Sequence, residues 1–477
     1  MSKDLSYSRF WVIASLIVAG LAAFWPSVWF DFVNWDDPAY VWNNDLIKSW
    51  SPSSLAGVAT ETVTRNYAPL TIFSLLIDHT LWGMNASGYH ATNVILHVMN
   101  GLLVFLLVRQ LCQNTFVAWT TAVLFLVHPV QIETVAWISS RKGLLSATFM
   151  LAALLVRLKP EPEAKHDMWY VVWLAAALLS KALAVVVPAI VLLYDIWVRR
   201  QKFADAFVRQ IIPGVMCLLL LLKTMASQNS ILGGVRGHLD FSIWHIMAID
   251  STILWRYIGM LFLPSDLCVL YDPPVHGIWK SVLLASAGWL MVGTAIWKYR
   301  SQHPLLLWGM TVWLLLLFPV LNFFRITTLM NDRYLYLPCI VIFATTAAAV
   351  HRLLNVSPER VGNVTHRLVA GFRWTLATAA CVAALCITSS HLPVWRNSQS
   401  LWTHAMQKVP QLAVVRIQMA HTLHDGGQCR EAIRTLQRAL LQCQPDQLDH
   451  RRIIRLADAW QKELQTRSAA KSGPATR

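Results

Sequence analysis

Long apolar runs recur along this chain, among them Trp11 to Phe30, Val171 to Trp197 and Leu305 to Val320. Each is near or above the roughly 18–20 residues that a helix needs to cross a bilayer, or divides into two such helices. Composition agrees: 56% of the 477 residues are hydrophobic and 14% charged. A soluble chain of this length would be split into domains and carry more charge. The fold class expected is all-α, a polytopic transmembrane bundle with about eleven spanning helices. They fall near 9–30, 91–109, 115–130, 143–158, 168–182, 183–198, 206–223, 277–297, 304–321, 336–352 and 372–390. A further apolar segment, 246–263, contains Asp250 and Arg256; these charges assign it to the interface or to a re-entrant turn.

The N-terminal segment has Lys3 and Arg9 ahead of its apolar stretch, like a secretory signal. Bulky Trp25, Trp29 and Phe30 stand where small cleavage-site residues would be needed, so it reads as an uncleaved first helix. The net charge is +15, and its cations recur at alternate loops: Arg109, Arg157/Lys159/Lys165, Arg199/Arg200/Lys202/Arg209, Lys298/Arg300, and Arg352 to Arg373. Placing these loops in the cytoplasm satisfies the positive-inside tendency, with the N-terminus inside and everything after residue 391 outside. The cations are dispersed over short loops and form no stripe, which argues against nucleic acid as a partner. Eight cysteines show neither a CxxC pair nor a His/Cys metal spacing. If Cys429 and Cys443 share a helix they stand roughly 21 Å apart, too far for a disulfide.

The domain expectation is a membrane part, 1–392, with a large external loop, 31–89, folded into interfacial helices; a helical tail, 393–466; and a disordered end, 467–477. The tail carries a 34-residue register in which Trp402 matches Leu436, Ala405 matches Ala439, and Pro410 lies one step off Pro445. Ala420, Leu423 and Ala432, about the turn Asp425-Gly426-Gly427, fill the slots of a tetratricopeptide repeat. About one and a half repeats fall short of the three that such arrays need to stand alone, so the tail is expected to lean on the membrane part.

Polar interruptions of the apolar pattern, outside the basic loops, collect on the external side. Asp36 and Asp37 follow the first helix in Asn34-Trp35-Asp36-Asp37-Pro38. A carboxylate there can accept the proton of an attacking hydroxyl or hold a divalent metal such as Mg or Mn; the plain alternative is a solvated turn. His90, Asn93, His97 and Asn100 share one helical face. Asn93, His97 and Asn100 suit interhelical hydrogen bonding, while His90, at the external end, is a candidate substrate contact. Glu133, followed eight residues later by Arg141 and Lys142, suits a sugar and its phosphate, or a snorkelling pair at headgroup level. Lys181 interrupts an apolar run as either a hinge or a phosphate ligand. In Asn331-Asp332-Arg333-Tyr334-Leu335-Tyr336, Arg333 is a candidate for the donor phosphate, with Asp332 and Tyr334 beside it.

These segments resemble the membrane O-mannosyltransferases that carry tetratricopeptide repeats, and their bacterial relatives, within the GT-C class of polyprenyl-phosphate-sugar glycosyltransferases. The resemblance runs through Asn34-Trp35-Asp36-Asp37, Tyr67-Ala68-Pro69-Leu70, Leu81-Trp82-Gly83, and Gly88-Tyr89-His90. It continues with His128-Pro129 to Arg141-Lys142, Ser180-Lys181, Asp332 to Pro338, and Trp395-Arg396-Asn397-Ser398 to Leu401-Trp402. It implies an inverting transfer of a hexose, mannose first, from a polyprenyl-phosphate donor to Ser or Thr hydroxyls of a protein, with Asp36 or Asp37 as base. It also implies a multi-pass protein whose short tail points to a bacterial inner membrane. The chain departs from the family pattern at Gly143, where relatives usually have an acid, and at Ala182, where they often have Pro. A lipid or polysaccharide acceptor, or a transporter or scaffold role, are the alternatives.

Overall fold

The structure is a computed structural model that describes residues 2–64, 66–160, 163–229, 241–323, 328–355, 358–443 and 447–471. Each apolar segment predicted above contains a helix, and no strand occurs among the described residues. After α1 (Ser2–Phe24), a long connection carries α2 (Pro52–Thr60) and α3 (Pro69–Trp82). Next come α4 (Ala86–Cys112), α5 (Thr115–Val127), the short α6 (Ile132–Ala136) and α7 (Arg141–Arg157). The series continues with α8 (Ala164–Ser180), α9 (Val187–Trp197), α10 (Phe203–Val208), α11 (Ile211–Asn229) and α12 (Ile243–Phe262). The last bundle helices are α13 (Trp279–Tyr299), α14 (Pro304–Leu317), α15 (Cys339–Leu354) and α16 (Pro358–His391).

Among the described residues, five helices are long and apolar enough to cross a bilayer: Phe10–Trp29, Ala86–Cys112, Ile138–Arg157, Trp279–Tyr299 and Gly371–Trp395. A sixth results if Thr115–Val127 and Pro129–Ala136 count as one bent span, and four apolar helices of 10–17 residues join them. The protein is therefore an all-α, multi-pass membrane bundle. The segment 246–263, read from its charges as interfacial or re-entrant, forms most of the 20-residue α12 and its C-cap, Leu263. Its Asp250 accepts hydrogen bonds from the backbone N and Nδ2 of Asn322, so the carboxylate meets protein donors.

Local signals set the helix ends. Asn85 and Asn114 open α4 and α5 by accepting the amides of Ser87 and Val117. Gly83 closes α3 at φ 58°, a backbone conformation that side chains with a β-carbon resist. A β-carbon at Gly101 would lie 2.3 Å from Leu126, so only glycine lets α4 and α5 pack this closely. Pro129 cannot donate the amide that would continue α5, and the chain bends by 54° there. Residues 125–141 are buried throughout. The second external connection, one reading of which placed it at headgroup level, is thus folded back into the protein. The polar face of α4 meets it: Asn93 donates to the carbonyls of Val135 and Trp137. His97 and Asn100 both bond the Tyr336 hydroxyl.

The tail folds as α17 (Ser398–Lys408), α18 (Ala413–Asp425), α19 (Cys429–Gln442) and α20 (Gln447–Lys471). The register positions Trp402, Ala405, Leu436 and Ala439 are fully buried; Pro445 lies outside the described residues. Leu401, Trp402 and Ala405 belong to the core of the bundle itself, while α18–α20 enclose a core of their own around Ala420, Ala432 and Trp460. The last helix runs on to Lys471, past residue 467 where a disordered end was expected, and 472–477 lie outside the described residues.

At the end of α7 remote from Arg141, the fully buried Arg157 pairs with the fully buried Asp195 at 2.7 Å. Removing Asp195 leaves the buried Arg157 only the half-exposed Asp167, at 3.2 Å, and takes the acid from Arg199 as well. Asp195→Ala is therefore expected to cost about 3–5 kcal/mol of stability, read as a lowered thermal unfolding midpoint in detergent.

Candidate active site

The two adjacent acids have different surroundings. Asp37 is 1% exposed. Its Oδ2 accepts the Val33 amide at 2.9 Å, and its Oδ1 accepts the Ser139 amide at 3.0 Å and the Ser139 hydroxyl. It therefore ties the first connection to the buried one before α7. Burial pushes its carboxyl up to about 6 from 3.8, more than these hydrogen bonds pull it down. Asp36 points the other way, with its side chain 30% exposed and its Oδ2 3.5 Å from Lys142 Nζ.

Around Asp36 lies a set of charges drawn from four distant stretches. Lys142 also bonds the Tyr40 hydroxyl at 3.2 Å and stands over the Tyr40 ring. Arg333 pairs with Glu133, whose other oxygen accepts the Arg333 amide at 2.9 Å. Burial works against the Arg333 charge, but Glu133, Tyr334 and Asp36 together more than offset it, and the pKa is raised. Trp137 sits between the two cations, its ring 5.7 Å from Lys142 Nζ and 5.4 Å from the Arg333 guanidinium. Lys181 stands at the extended break after α8, and its ammonium makes no hydrogen bond or ion pair among the described residues. A β-carbon on Gly143 would lie 3.9 Å from its Nζ.

The other sequence candidates stand apart from this set. Arg141 is fully buried and committed to Asp78 at 2.7 Å, the Tyr89 carbonyl at 2.8 Å and Asn93. It holds α3 against α4 and α7 and offers no open donor to a phosphate. His90, expected to touch substrate, is 1% exposed and packs edge-on against Phe30. Glu133 does not act with Arg141 and Lys142; its partner comes from the segment before α15. Asp332 accepts the Tyr271 hydroxyl and does not orient Arg333; burial and the nearby Glu133 push its carboxyl well above the carboxylate range. Tyr334 lies 5.3 Å from the Arg333 guanidinium. Tyr40, Ser139 and Trp137 were missed by sequence reasoning. Tyr40, four residues after Asp36, had a local signal, but nothing in the sequence joins Asp37 to Ser139, 102 residues away.

The tail holds the acid-bearing connection from behind. The Asn34 backbone amide donates to the Ser398 hydroxyl at 2.9 Å; its Nδ2 donates to the Gln418 carbonyl and the Thr422 hydroxyl, and its Oδ1 accepts the Trp402 indole. Trp35 packs on the Trp402 ring at 5.2 Å.

Below the charges is a small space of about 20 Å³ bordered by Lys181, Arg333, Tyr334 and Ser140. It shares Met150, Leu316 and Leu337 with an apolar cavity of about 530 Å³ between α4, α7, α14 and α15. As for a divalent metal at the acids, both Asp37 oxygens are already engaged and Asp36 faces a lysine. This donor set does not fit Mg or Mn, which take several free oxygens.

No protein-family model matches the chain. A protein O-mannosyl-transferase of Caenorhabditis elegans is 23% identical over 442 residues, covering 84% of this chain and 58% of the relative. Human protein O-mannosyl-transferase TMTC1 is 24% identical over 441 residues, covering 79% and 48%. The chain is a homologue of the protein O-mannosyl-transferases. It spans about half the length of these two relatives. Among solved structures, an Archaeoglobus fulgidus oligosaccharyltransferase is similar at TM-score 0.49 and 12% identity, over 89% of this chain and 59% of that one. ArnT from Cupriavidus metallidurans follows at 0.43 and 13%, over 89% and 73%. Likeness at this level carries no argument about chemistry.

For Asp37 the folded-state pKa lies above the unfolded value, so its contribution to stability is fully present below pH 3.8 and lost as pH rises through about 6. Asp37→Asn is expected to flatten that loss, shown by chemical unfolding of both proteins between pH 4 and 7.

Proposed function

We propose that the chain is an inverting glycosyltransferase. It moves a hexose, mannose by analogy with its relatives, from a polyprenyl-phosphate donor to a Ser or Thr hydroxyl of an extracytoplasmic protein. The observation that supports this most is that the cationic space and the apolar cavity adjoin, with Met150, Leu316 and Leu337 in the wall of both. A lipid-linked sugar needs its phosphate and its tail held at adjoining sites of opposite character. Charge counting supports a phosphodiester. Asp36 offsets Lys142 and Glu133 offsets Arg333, so Lys181 lies beside two paired cations, and an incoming phosphodiester favours its protonated form.

In this reading the isoprenoid chain lies along the cavity walls and the phosphate meets Lys181, with Lys142 and Arg333 flanking it. The space of about 20 Å³ admits a water but not a phosphate, so Lys181, Arg333 and Tyr334 must swing aside as the donor enters. Asp36, the more open of the two acids, takes the proton of the acceptor hydroxyl. The oxygen attacks the anomeric carbon from the face opposite the phosphate; the carbon–oxygen bond to phosphate breaks, and its electron pair leaves with the lipid phosphate. The cations neutralise that leaving group. Asp37 contributes by fixing where Asp36 stands, and Arg141 by fixing α3 and α7.

Transfer from radiolabelled polyprenyl-phosphate mannose to a Ser/Thr peptide by the purified protein tests this. Asp36→Asn is expected to lower kcat by about 10²–10⁴-fold, the usual span for a lost general base, with donor KM little changed. Lys181→Ala is expected to raise donor KM. Full turnover by Asp36→Asn overturns the assignment of the base, and label found in glycolipid alone overturns the protein acceptor.

A further inference from the structure

The tail holds a second constellation, remote from the acids. His424 at the end of α18, Cys429 at the start of α19 and Glu463 in α20 each turn one ligand atom inward, all within 4.8 Å of one another. The His424 Nε2 is 3.0 Å from Glu463 Oε2. Cys429 is buried and free.

We propose that these three residues bind a zinc ion. Nitrogen, thiolate sulfur and carboxylate oxygen are zinc's customary donors, and three of them leave a fourth tetrahedral position for water. A chance His–Glu pair does not call for the surroundings found here. The Asp425 carboxylate stands 3.6 Å from the other His424 nitrogen, Nδ1, adding negative charge beside the ring without a hydrogen bond to it. The second Glu463 oxygen is held by Arg467 at 2.6 Å, and the imidazole stacks on Trp460 with ring centroids 4.4 Å apart. Both the ring and the carboxylate are thus fixed from outside the cluster.

The ion would staple α20 to the α18–α19 hairpin. A tail with too few repeats to stand alone gains a cross-link where further repeats would otherwise cap it. Because Thr422 of α18 grips Asn34, the staple also stiffens the support behind Asp36.

The test uses the full-length protein in detergent, titrated with cobalt(II) and, in competition, zinc. One equivalent of cobalt is expected to produce a thiolate-to-cobalt charge-transfer band that zinc abolishes and that C429S lacks. Zinc should also protect Cys429 from alkylation, read peptide by peptide so that the other cysteines do not interfere. D425N, which keeps all three ligands and removes only a nearby negative charge, should weaken zinc binding far less than C429S does. No charge-transfer band in the wild type, together with alkylation of Cys429 at the same rate with and without zinc, overturns the proposal. So does a band that persists in C429S.

Discussion

The Asp37 carboxylate, buried and gripped by the Val33 amide and by the amide and hydroxyl of Ser139, joins two connections that the sequence separates by about a hundred residues. A buried carboxylate is tolerable only when its lone pairs find donors, so the segment before α7 has to present Ser139 at that spot. Once it does, Lys142 three residues on falls beside Asp36, and Trp137 two residues back falls between Lys142 and Arg333. One satisfied buried group thereby arranges the open one next to it. Of two neighbouring acids, one serves as anchor and the other is left accessible.

A second constraint comes from the tail. Asn34 uses its backbone amide and its entire side-chain amide on α17 and α18, and Trp35 stacks on Trp402. The connection carrying Asp36 is therefore clamped from the bundle side by Ser139 and from the tail side by these groups. The tail is part of the architecture of the site. Its first helix shares the bundle's core, while α18–α20 form a smaller unit that the His424 cluster would tighten.

In the proposed reaction, the apolar cavity and the cationic space divide the problem of a lipid-linked substrate between two environments. Dispersion and hydrophobic contact suit the tail, and fixed charge suits the phosphate, where low local dielectric strengthens it. Gly143 has a part in this balance. With no side chain at that position, no acid on α7 pairs with Lys181, and the amine stays available to an anionic ligand. An acid there would draw Lys181 into a local pair.

The sequence by itself determined the helical membrane class and the approximate place of each helix, because apolar run length and helical periodicity are local properties. It also marked Asp36, Lys142, Lys181 and Arg333, since a charge beside hydrocarbon stands out in one dimension. It did not separate Asp36 from Asp37, pair Glu133 with Arg333, or show that Arg141 and His90 are enclosed, for adjacent or similar residues differ only in what the fold brings to them. The metal-like cluster escaped for the same reason: His424 and Cys429 have no recognised spacing, and Glu463 arrives from a helix 34 residues further on. Which side chain is left open, and which is consumed in holding the others, was decided by tertiary packing, because burial and hydrogen bonding depend on neighbours that chain order does not specify.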